Sequence, residues 1–289
     1  MASFKDYFEL CKPRVVLLMI ITAAIAMLLA VPPHAAIPFD TILIASCGIA
    51  LLAFAGGVVN HLVDRSADAL MQRTQQRPLA SGRVKPVHAI ILALLLAAAG
   101  VIILLRYINV TTAWLSFATL IGYAIIYTLL LKRTTPQNIV IGGFAGAMPP
   151  LLGWMAITNE WSAGAFLLVA IIFTWTPPHF WALSIYRYED YKNAKIPMLP
   201  VTHGIDFTRK MIVLYTVLMV AVTYLPFTIH FAGFIYLIGV TLLNIIFLGY
   251  VVRMLCTKKA EHAYAVFRFS ITYLGLLFAL FLLDHYFPL

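Results

Sequence analysis

Three observations predict that this chain is an all-α protein of the polytopic membrane class, a helical bundle with nine transmembrane helices. Hydrophobic residues make up 63% of the 289 residues, charged residues only 11%, and the mean hydropathy is +0.95. A soluble domain of this length carries about a quarter charged residues. Uncharged stretches long enough to cross a bilayer recur along the sequence, and almost all Lys and Arg residues lie in alternate loops between them. We expect residues 1–289 to form a single transmembrane domain.

The predicted spans are apolar stretches separated by polar segments. They cover residues 15–31, 41–59, 87–105, 110–131, 138–157, 162–186, 211–229, 231–252 and 267–286. The first span follows residues 4–11, whose apolar side chains recur at helical spacing and are expected to lie along the membrane surface. The fifth span is the least regular, because GGFAGAMPP (142–150) interrupts it. Such breaks are tolerated at membrane depth where neighbouring helices or a cavity satisfy the freed backbone groups.

Basic residues lie almost entirely on one side of these spans. The N-terminal segment and the loops after spans two, four, six and eight contain 19 of the 20 Lys and Arg residues, and only Arg106 falls on the other side. Cytoplasmic loops carry the excess of Lys and Arg, so this distribution predicts a cytoplasmic N-terminus. Orientation therefore explains most of the net charge of +9, and the charge gives no reason to expect nucleic-acid binding.

Acidic residues concentrate in two predicted cytoplasmic loops, residues 60–86 and 187–210. Membrane orientation does not account for acids in these positions. Four spans separate the two loops, which favours an internal pseudo-repeat, and paired sites at repeat interfaces are common in membrane proteins. The two loops are therefore the candidate site segments.

Asn60, Asp64 and Asp68 continue the second span into the first loop at helical spacing. Residues four apart share one helix face, and these three side chains drift by only about 80° in total. Two carboxylates at that spacing repel each other unless a cation lies between them. Proteins typically hold Mg²⁺ with one or two carboxylates plus phosphate oxygens. The spacing therefore predicts a Mg²⁺ site at the cytoplasmic edge of the membrane.

Arg73 and Arg77 follow on what we predict is a short helix ended by Pro78. Guanidinium groups bind phosphate oxygens bidentately, so the two arginines would complement a metal-bound diphosphate. The alternative is an ordinary solvated cytoplasmic loop with incidental acids. The regular Asn-Asp-Asp spacing at the membrane edge favours the site.

The pattern N-x3-D-x3-D followed by M-x-R-T-x2-R-P, at residues 60–78, resembles the first aspartate-rich motif of the intramembrane aromatic prenyltransferase superfamily. Other stretches resemble its haem-farnesylating branch. They are CKPR at 11–14, YTLLLKRTTPQNIVIGGFAGAMPPLLGW at 127–154, WTPPHFWALSIYRYEDY at 175–191 and IPMLPVTHG at 196–204. The resemblance covers most of the chain.

That resemblance implies an enzyme of the bacterial inner membrane with its active site at the cytoplasmic mouth of the bundle. The implied reaction is Mg²⁺-dependent transfer of a farnesyl group from farnesyl diphosphate to the vinyl group of haem b. Water is added, and the products are haem O and diphosphate. The resemblance also implies a haem A synthase or a terminal oxidase as a downstream partner.

The second loop departs from the superfamily's usual second motif, DxxxD, because Ala194 stands four residues after Asp190. The resemblance implies Asp190 as a further metal ligand or as a diphosphate contact, and Arg187 and Lys192 as diphosphate contacts. It also implies Lys132, at the end of span four, as a diphosphate ligand, although snorkelling at a helix end is the other explanation. The missing carboxylate leaves the number of metal ions open.

A haem substrate makes His179 and His203 candidate haem-binding residues. His179 lies within span six, where an ionisable group is costly and often functional, and the two prolines before it are expected to break the helix and open a pocket. His203 belongs to the second loop, near Asp190. Ordinary packing is the alternative for each histidine, and a substrate haem need not be ligated by protein.

Two other functions compete with the haem-farnesylating one. The acceptor could be a quinone-precursor ring such as 4-hydroxybenzoate, although the single Asp190 and the TPPHFW and IPMLP stretches argue against it. A secondary transporter also has broken helices and polar groups at repeat interfaces. It would place its charges nearer the bilayer midplane, whereas the acids here cluster at one mouth. The donor chain length stays open, because it depends on the depth of the cavity.

Overall fold

The computed structural model describes residues 2–288, apart from the side chain of Arg133, and this part of the chain forms helices without a β-strand. The helices are α1 Phe4–Leu10, α2 Pro13–Leu29, α3 Phe39–Asp68, α4 Pro86–Tyr107, α5 Val110–Ile121, a π-helical segment Gly122–Leu131, α6 Lys132–Thr134, α7 Asn138–Ala147, α8 Pro149–Thr158, α9 Ala163–Tyr186, α10 Tyr188–Asn193, α11 Leu199–His203, α12 Ile205–Thr228, α13 Phe234–Thr257 and α14 Ala260–Tyr286. The predicted all-α class is confirmed.

Within the described residues, eight helical stretches are long and apolar enough to cross a membrane. The expected fifth span is one of them, and it breaks between α7 and α8, where the glycine- and proline-rich stretch lies. A ninth span is formed if α1 and α2, which meet at an angle of 52°, are counted together. Lys12 stands at this bend with a left-handed backbone (φ 51°), a conformation uncommon for residues other than glycine.

The membrane helices pack closely where small residues meet. α2 packs on α8, α3 on α4, and α9 on α12 and α14. At the first of these contacts a Cβ atom on Gly153 would lie only 2.2 Å from the carbonyl oxygen of Ala23. Small residues of this kind let membrane helices approach each other, so Gly153 allows α8 to lie in close contact with α2.

Two local expectations were wrong. Pro177 and Pro178 do not break the sixth span, because α9 runs through them from Ala163 to Tyr186. It packs against α7, α12 and α14, and such neighbours let a membrane helix retain prolines.

Arg73 and Arg77 do not lie on a helix, because the chain forms successive turns after α3 ends. There Thr74 Oγ1 donates to the carbonyl oxygen of Asp68 at 3.0 Å, in place of continued helical bonding.

The fourth span changes from α-helix to π-helix at Gly122. Thr128 Oγ1 donates to the carbonyl oxygen of Tyr123, five residues earlier, at 2.8 Å. Tyr123 and Tyr127 stack with ring centroids 5.5 Å apart. π-Helical turns are rare in proteins, and many of those known lie at functional sites. This one ends directly before Lys132, whose side chain lines a cavity among the helices. Hydropathy alone did not predict it.

Candidate active site

A cavity of about 800 Å³ lies among α2, α3, the π-helical segment, α7, α9 and α14. Along α3 its wall extends from Asp68 to Ile49, a length of roughly 28 Å at about 1.5 Å per residue. Its charged side chains are Lys12, Arg14, Asp64, Asp68, Arg73, Arg77 and Lys132. These residues give the charged end of the cavity a net charge of +3, while the remaining wall is largely apolar and aromatic.

Asn60 is buried on α3 and is held from two sides. Lys12 Nζ donates a hydrogen bond to its Oδ1, and its own Nδ2 donates to Thr128 Oγ1 at 3.3 Å. The helix face that carries Asn60, Asp64 and Asp68, called the Asn-Asp-Asp stripe below, is therefore bonded to the bend between α1 and α2 and to the π-helical segment. Lys12 was not among the predicted site residues. The signal that pointed to it was the CKPR stretch, which places a lysine directly before an apolar span.

Asp64 and Asp68 are buried and each forms an ion pair with a different segment. Lys132 Nζ lies 2.5 Å from Asp64 Oδ2. Arg77 Nη1 donates to both carboxylate oxygens of Asp68, at 3.0 and 2.9 Å. The structure thus brings Asn60, Asp64 and Asp68 onto one face and adds Lys132 and Arg77 around them.

Lys12 lies in the turn between α1 and α2, close to other basic groups. Burial and the nearby charges of Arg77 and Lys132 lower the pKa of Lys12 to about 7, although the charges of Asp64 and Asp68 oppose this shift. The five basic side chains at this end outnumber its two carboxylates. An anion beside Lys12 would offset this excess, so the charged end of the cavity is suited to an anionic group.

The oxygen atoms of the stripe fit a hard divalent cation. Asn60, Asp64 and Asp68 supply one amide oxygen and two carboxylates from one buried helix face. Among residues 2–288 no three His, Cys, Asp or Glu side chains converge on one point. A site of this kind suits Mg²⁺, which usually binds one or two carboxylates and completes its coordination with water and phosphate oxygens.

The second loop contributes Tyr191 to the cavity wall. Burial raises the pKa of Tyr191, so its hydroxyl stays protonated at neutral pH. Asp190, Arg187 and Lys192 lie outside the wall. Asp190 Oδ2 is buried, accepts no hydrogen bond from the part of the chain that the structure describes, and lies 4.0 Å from Arg187 Nη1. Lys192 is exposed, with its Nζ 5.7 Å from the centre of the Tyr188 ring.

The two candidate histidines occupy different environments. His179 is buried on the cavity wall, where its Nδ1 lies 2.6 Å from Ser270 Oγ and its ring stacks on Trp175 at 4.3 Å. His203 is exposed at the end of α11, outside the wall, and stacks on Phe207 at 5.3 Å. His179 is therefore available to a molecule in the cavity, and the role of His203 stays a prediction.

A molecule suited to this cavity has an anionic head and a long apolar body. The basic side chains and the Asn-Asp-Asp stripe lie at one end, where their charges would favour an anion bound together with a metal ion. The apolar length fits a hydrocarbon chain, and the ring-lined walls fit a flat aromatic partner. The cavity therefore suits a lipid with an anionic head, such as a diphosphate.

Sequence comparisons agree with this geometry. The model of the UbiA prenyltransferase family matches residues 19–280. The chain is 54% identical over 285 residues to a Protoheme IX farnesyltransferase of Saccharophagus degradans, covering 99% of this chain and 93% of the relative. It is 52% identical over 288 residues to the Protoheme IX farnesyltransferase of Azotobacter vinelandii, covering 100% and 96%.

Solved structures share the fold. A digeranylgeranylglyceryl phosphate synthase superposes with a TM-score of 0.81 at 20% identity, covering 98% of both chains. A UbiA homolog from Archaeoglobus fulgidus bound to DMAPP and Mg²⁺ superposes with a TM-score of 0.67 at 15% identity, covering 96% of this chain and 99% of that chain.

Proposed function

This chain belongs to the UbiA prenyltransferase family, and we propose that it transfers a farnesyl group from farnesyl diphosphate to the vinyl group of haem b, giving haem O and diphosphate. One observation carries the proposal. Relatives that are 52% and 54% identical along nearly the whole chain are named Protoheme IX farnesyltransferase. They confirm the resemblance to the haem-farnesylating branch and favour haem over 4-hydroxybenzoate as the acceptor.

The donor's diphosphate head would bind at the charged end of the cavity. Asn60, Asp64 and Asp68 would hold Mg²⁺, as their buried position on one helix face supports. Asp190 is proposed as a further ligand, because its Oδ2 is a buried oxygen without a hydrogen-bond donor. When bound, Mg²⁺ neutralises part of the negative charge on the diphosphate.

The basic side chains would stabilise diphosphate as a leaving group. When the bond between C1 of the farnesyl chain and the diphosphate oxygen breaks, its electron pair stays on the diphosphate. Preorganised cations near that oxygen lower the barrier, because they interact most strongly with the charge that develops there. Arg73, Arg77, Lys132 and Lys12 line the cavity at this end, and Arg187 and Lys192 of the second loop stay predicted contacts.

The apolar body of the cavity would protect the allylic cation. Tyr123, Tyr127, Trp175 and Phe180 line it, and aromatic faces attract a cation, while an apolar wall would keep water from the cation until the new bond has formed. The vinyl group of haem b then supplies the electron pair for the new carbon–carbon bond. Water adds to the vinyl carbon left positively charged and loses a proton, which completes the hydroxyethylfarnesyl group.

We also propose that the charged end of the cavity faces the cytoplasm, with the N-terminus on the same side, in the bacterial inner membrane. The placement of 19 of 20 basic residues on one side of the predicted spans supports this orientation. The haem O product would then be available to a haem A synthase or a terminal oxidase.

A product assay tests the proposed function. Purified protein in liposomes is incubated with haem b, farnesyl diphosphate and Mg²⁺, and the extracted haem is analysed by mass spectrometry. We expect haem carrying one farnesyl group and one added water. Turnover with 4-hydroxybenzoate but not with haem b would contradict the proposal. Parallel reactions with geranylgeranyl diphosphate determine whether the cavity selects the shorter chain.

A further inference from the structure

Among the described residues, His179 makes a hydrogen bond through one of its two ring nitrogens. Its Nδ1 lies 2.6 Å from Ser270 Oγ, across the contact between α9 and α14. The same hydroxyl oxygen lies 2.6 Å from the carbonyl oxygen of Phe267, to which it donates. Nε2 has no hydrogen-bond partner among the described residues, and the ring lines the cavity.

These contacts determine the tautomer of the imidazole. A serine hydroxyl has one proton and two lone pairs. The Phe267 carbonyl can only accept, so the Ser270 proton is used there, and the hydroxyl can only accept from His179. Nδ1 of His179 must therefore carry a proton. In a neutral imidazole the other nitrogen then has a free lone pair, and here that nitrogen is Nε2.

The surrounding rings fix the direction of this lone pair. Trp175 stacks on the imidazole at 4.3 Å, Phe267 lies at 4.6 Å, and Phe180 contacts it edge-on at 5.1 Å. Trp175 Nε1 donates to the backbone oxygen of Ser270 at 2.9 Å, so the serine belongs to the same cluster. The imidazole is held on several sides, with an unprotonated nitrogen beside a largely apolar cavity.

We propose that Nε2 of His179 is the axial ligand of the haem iron in the acceptor complex, and that Ser270 is a positioning residue that keeps Nε2 unprotonated. This inference rests on the proposed function. Neutral imidazole is a common ligand of iron, and the hydrogen bond on its other nitrogen sets its orientation and raises its basicity. A single iron–nitrogen bond anchors the porphyrin, so its vinyl-bearing edge can be held against C1 of the farnesyl chain.

The test compares haem b with iron-free protoporphyrin IX, because only haem can use an axial ligand. Binding of each is measured by titration with the protein in liposomes, and the iron–imidazole signature is followed by absorption and resonance Raman spectroscopy. For His179→Ala we expect haem affinity to fall by about tenfold or more, while protoporphyrin affinity stays unchanged. The iron–imidazole signature should be lost in this variant and should return when imidazole is added. His179→Gln, which keeps a donor toward Ser270, provides a second variant with the same expected loss.

Ser270→Ala tests the positioning role. We expect an iron–imidazole signature that is retained but shifted in frequency, with haem affinity reduced by about tenfold and protoporphyrin affinity unchanged. His262→Ala is the matched control, because its Nδ1 also pairs with a hydroxyl, that of Thr257, but its ring lies outside the cavity wall. Neither its affinities nor its spectrum should change.

Three results would overturn the inference. The first is that His179→Ala loses affinity for haem and for protoporphyrin equally. The second is that the iron–imidazole signature is unaltered in His179→Ala. The third is that this signature is not shifted in frequency in Ser270→Ala. Binding and spectra need no turnover, so the two proposals fail separately. A wild-type protein that shows the signature but makes no farnesylated haem contradicts the proposed function alone. One that farnesylates haem without the signature contradicts the axial ligand alone.

Discussion

Replacing Asp64 by asparagine removes one carboxylate charge from the middle of the Asn-Asp-Asp stripe while preserving the volume of the side chain. The Asp64 side chain is 3% exposed, its partner Lys132 is 15% exposed, and their charged atoms lie 2.5 Å apart. The substitution leaves Lys132 without a counter-ion and the proposed Mg²⁺ with a single carboxylate on α3. We expect weaker binding of Mg²⁺ with farnesyl diphosphate and loss of transfer activity.

The structure sets the size of this effect. A hydrogen bond to a charged group contributes about 1.5–3 kcal/mol, and removal of one partner from a buried ion pair costs about 3–5 kcal/mol. Because the Lys132 side chain is partly exposed, water can partly solvate its charge, and the range of about 1.5–3 kcal/mol applies. A loss of about 1.5–3 kcal/mol corresponds to about 13- to 160-fold in Kd, at about 1.36 kcal/mol per factor of ten.

Isothermal titration of Mg²⁺ and farnesyl diphosphate into the protein in nanodiscs measures this Kd, and mass spectrometry of the haem product measures the rate. Asp206→Asn is the matched control. That carboxylate also pairs with basic groups, Arg209 and Lys258, but its side chain is 63% exposed and lies outside the cavity wall. Its Kd and rate should stay within about twofold, because Asp206 contributes nothing to the wall of the cavity. A wild-type Kd in Asp64→Asn would refute the metal-site reasoning.

Three further predictions follow from the same geometry. Arg77→Lys keeps a positive charge but loses the paired contact with both oxygens of Asp68. Steady-state kinetics should therefore show that the KM for farnesyl diphosphate is raised by about tenfold. An unchanged KM would contradict a role for the guanidinium. Removal of divalent cations with EDTA should abolish product formation, and added Mg²⁺ should restore it; full activity in EDTA would exclude a metal requirement. Gly153→Ala places a Cβ atom 2.2 Å from the Ala23 carbonyl oxygen and should destabilise the protein by about 1–3 kcal/mol. This loss should lower the unfolding temperature measured in detergent. An unchanged unfolding temperature would show that α2 and α8 can separate freely.

The parts of the fold that were predictable from sequence depend on local periodicity. Hydropathy located the spans because every backbone group in a bilayer must be satisfied within its own helix. The stripe of Asn60, Asp64 and Asp68 was predictable for a similar reason, since residues four apart share a face in any continuous helix, and α3 is continuous to Asp68.

Contacts between distant segments were not predictable in this way. Lys12 reaches Asn60 only because the chain bends between α1 and α2, and helical periodicity does not predict a contact between residues 48 positions apart. The π-helical segment follows no hydropathy signal. The turns after α3 were missed because the four-residue spacing of Arg73 and Arg77 also fits a helix, whereas a side-chain bond from Thr74 stabilises the turn instead.

The most direct test of the account is the position of the metal. A structure of the protein with Mn²⁺ in place of Mg²⁺ and a non-cleavable thiolo analogue of farnesyl diphosphate reveals the metal by its anomalous scattering. We predict a peak at about 2.0–2.2 Å from carboxylate oxygens of both Asp64 and Asp68, with diphosphate oxygens on its other side and the farnesyl chain along the apolar cavity. A metal–diphosphate complex bound away from both aspartates would contradict the account.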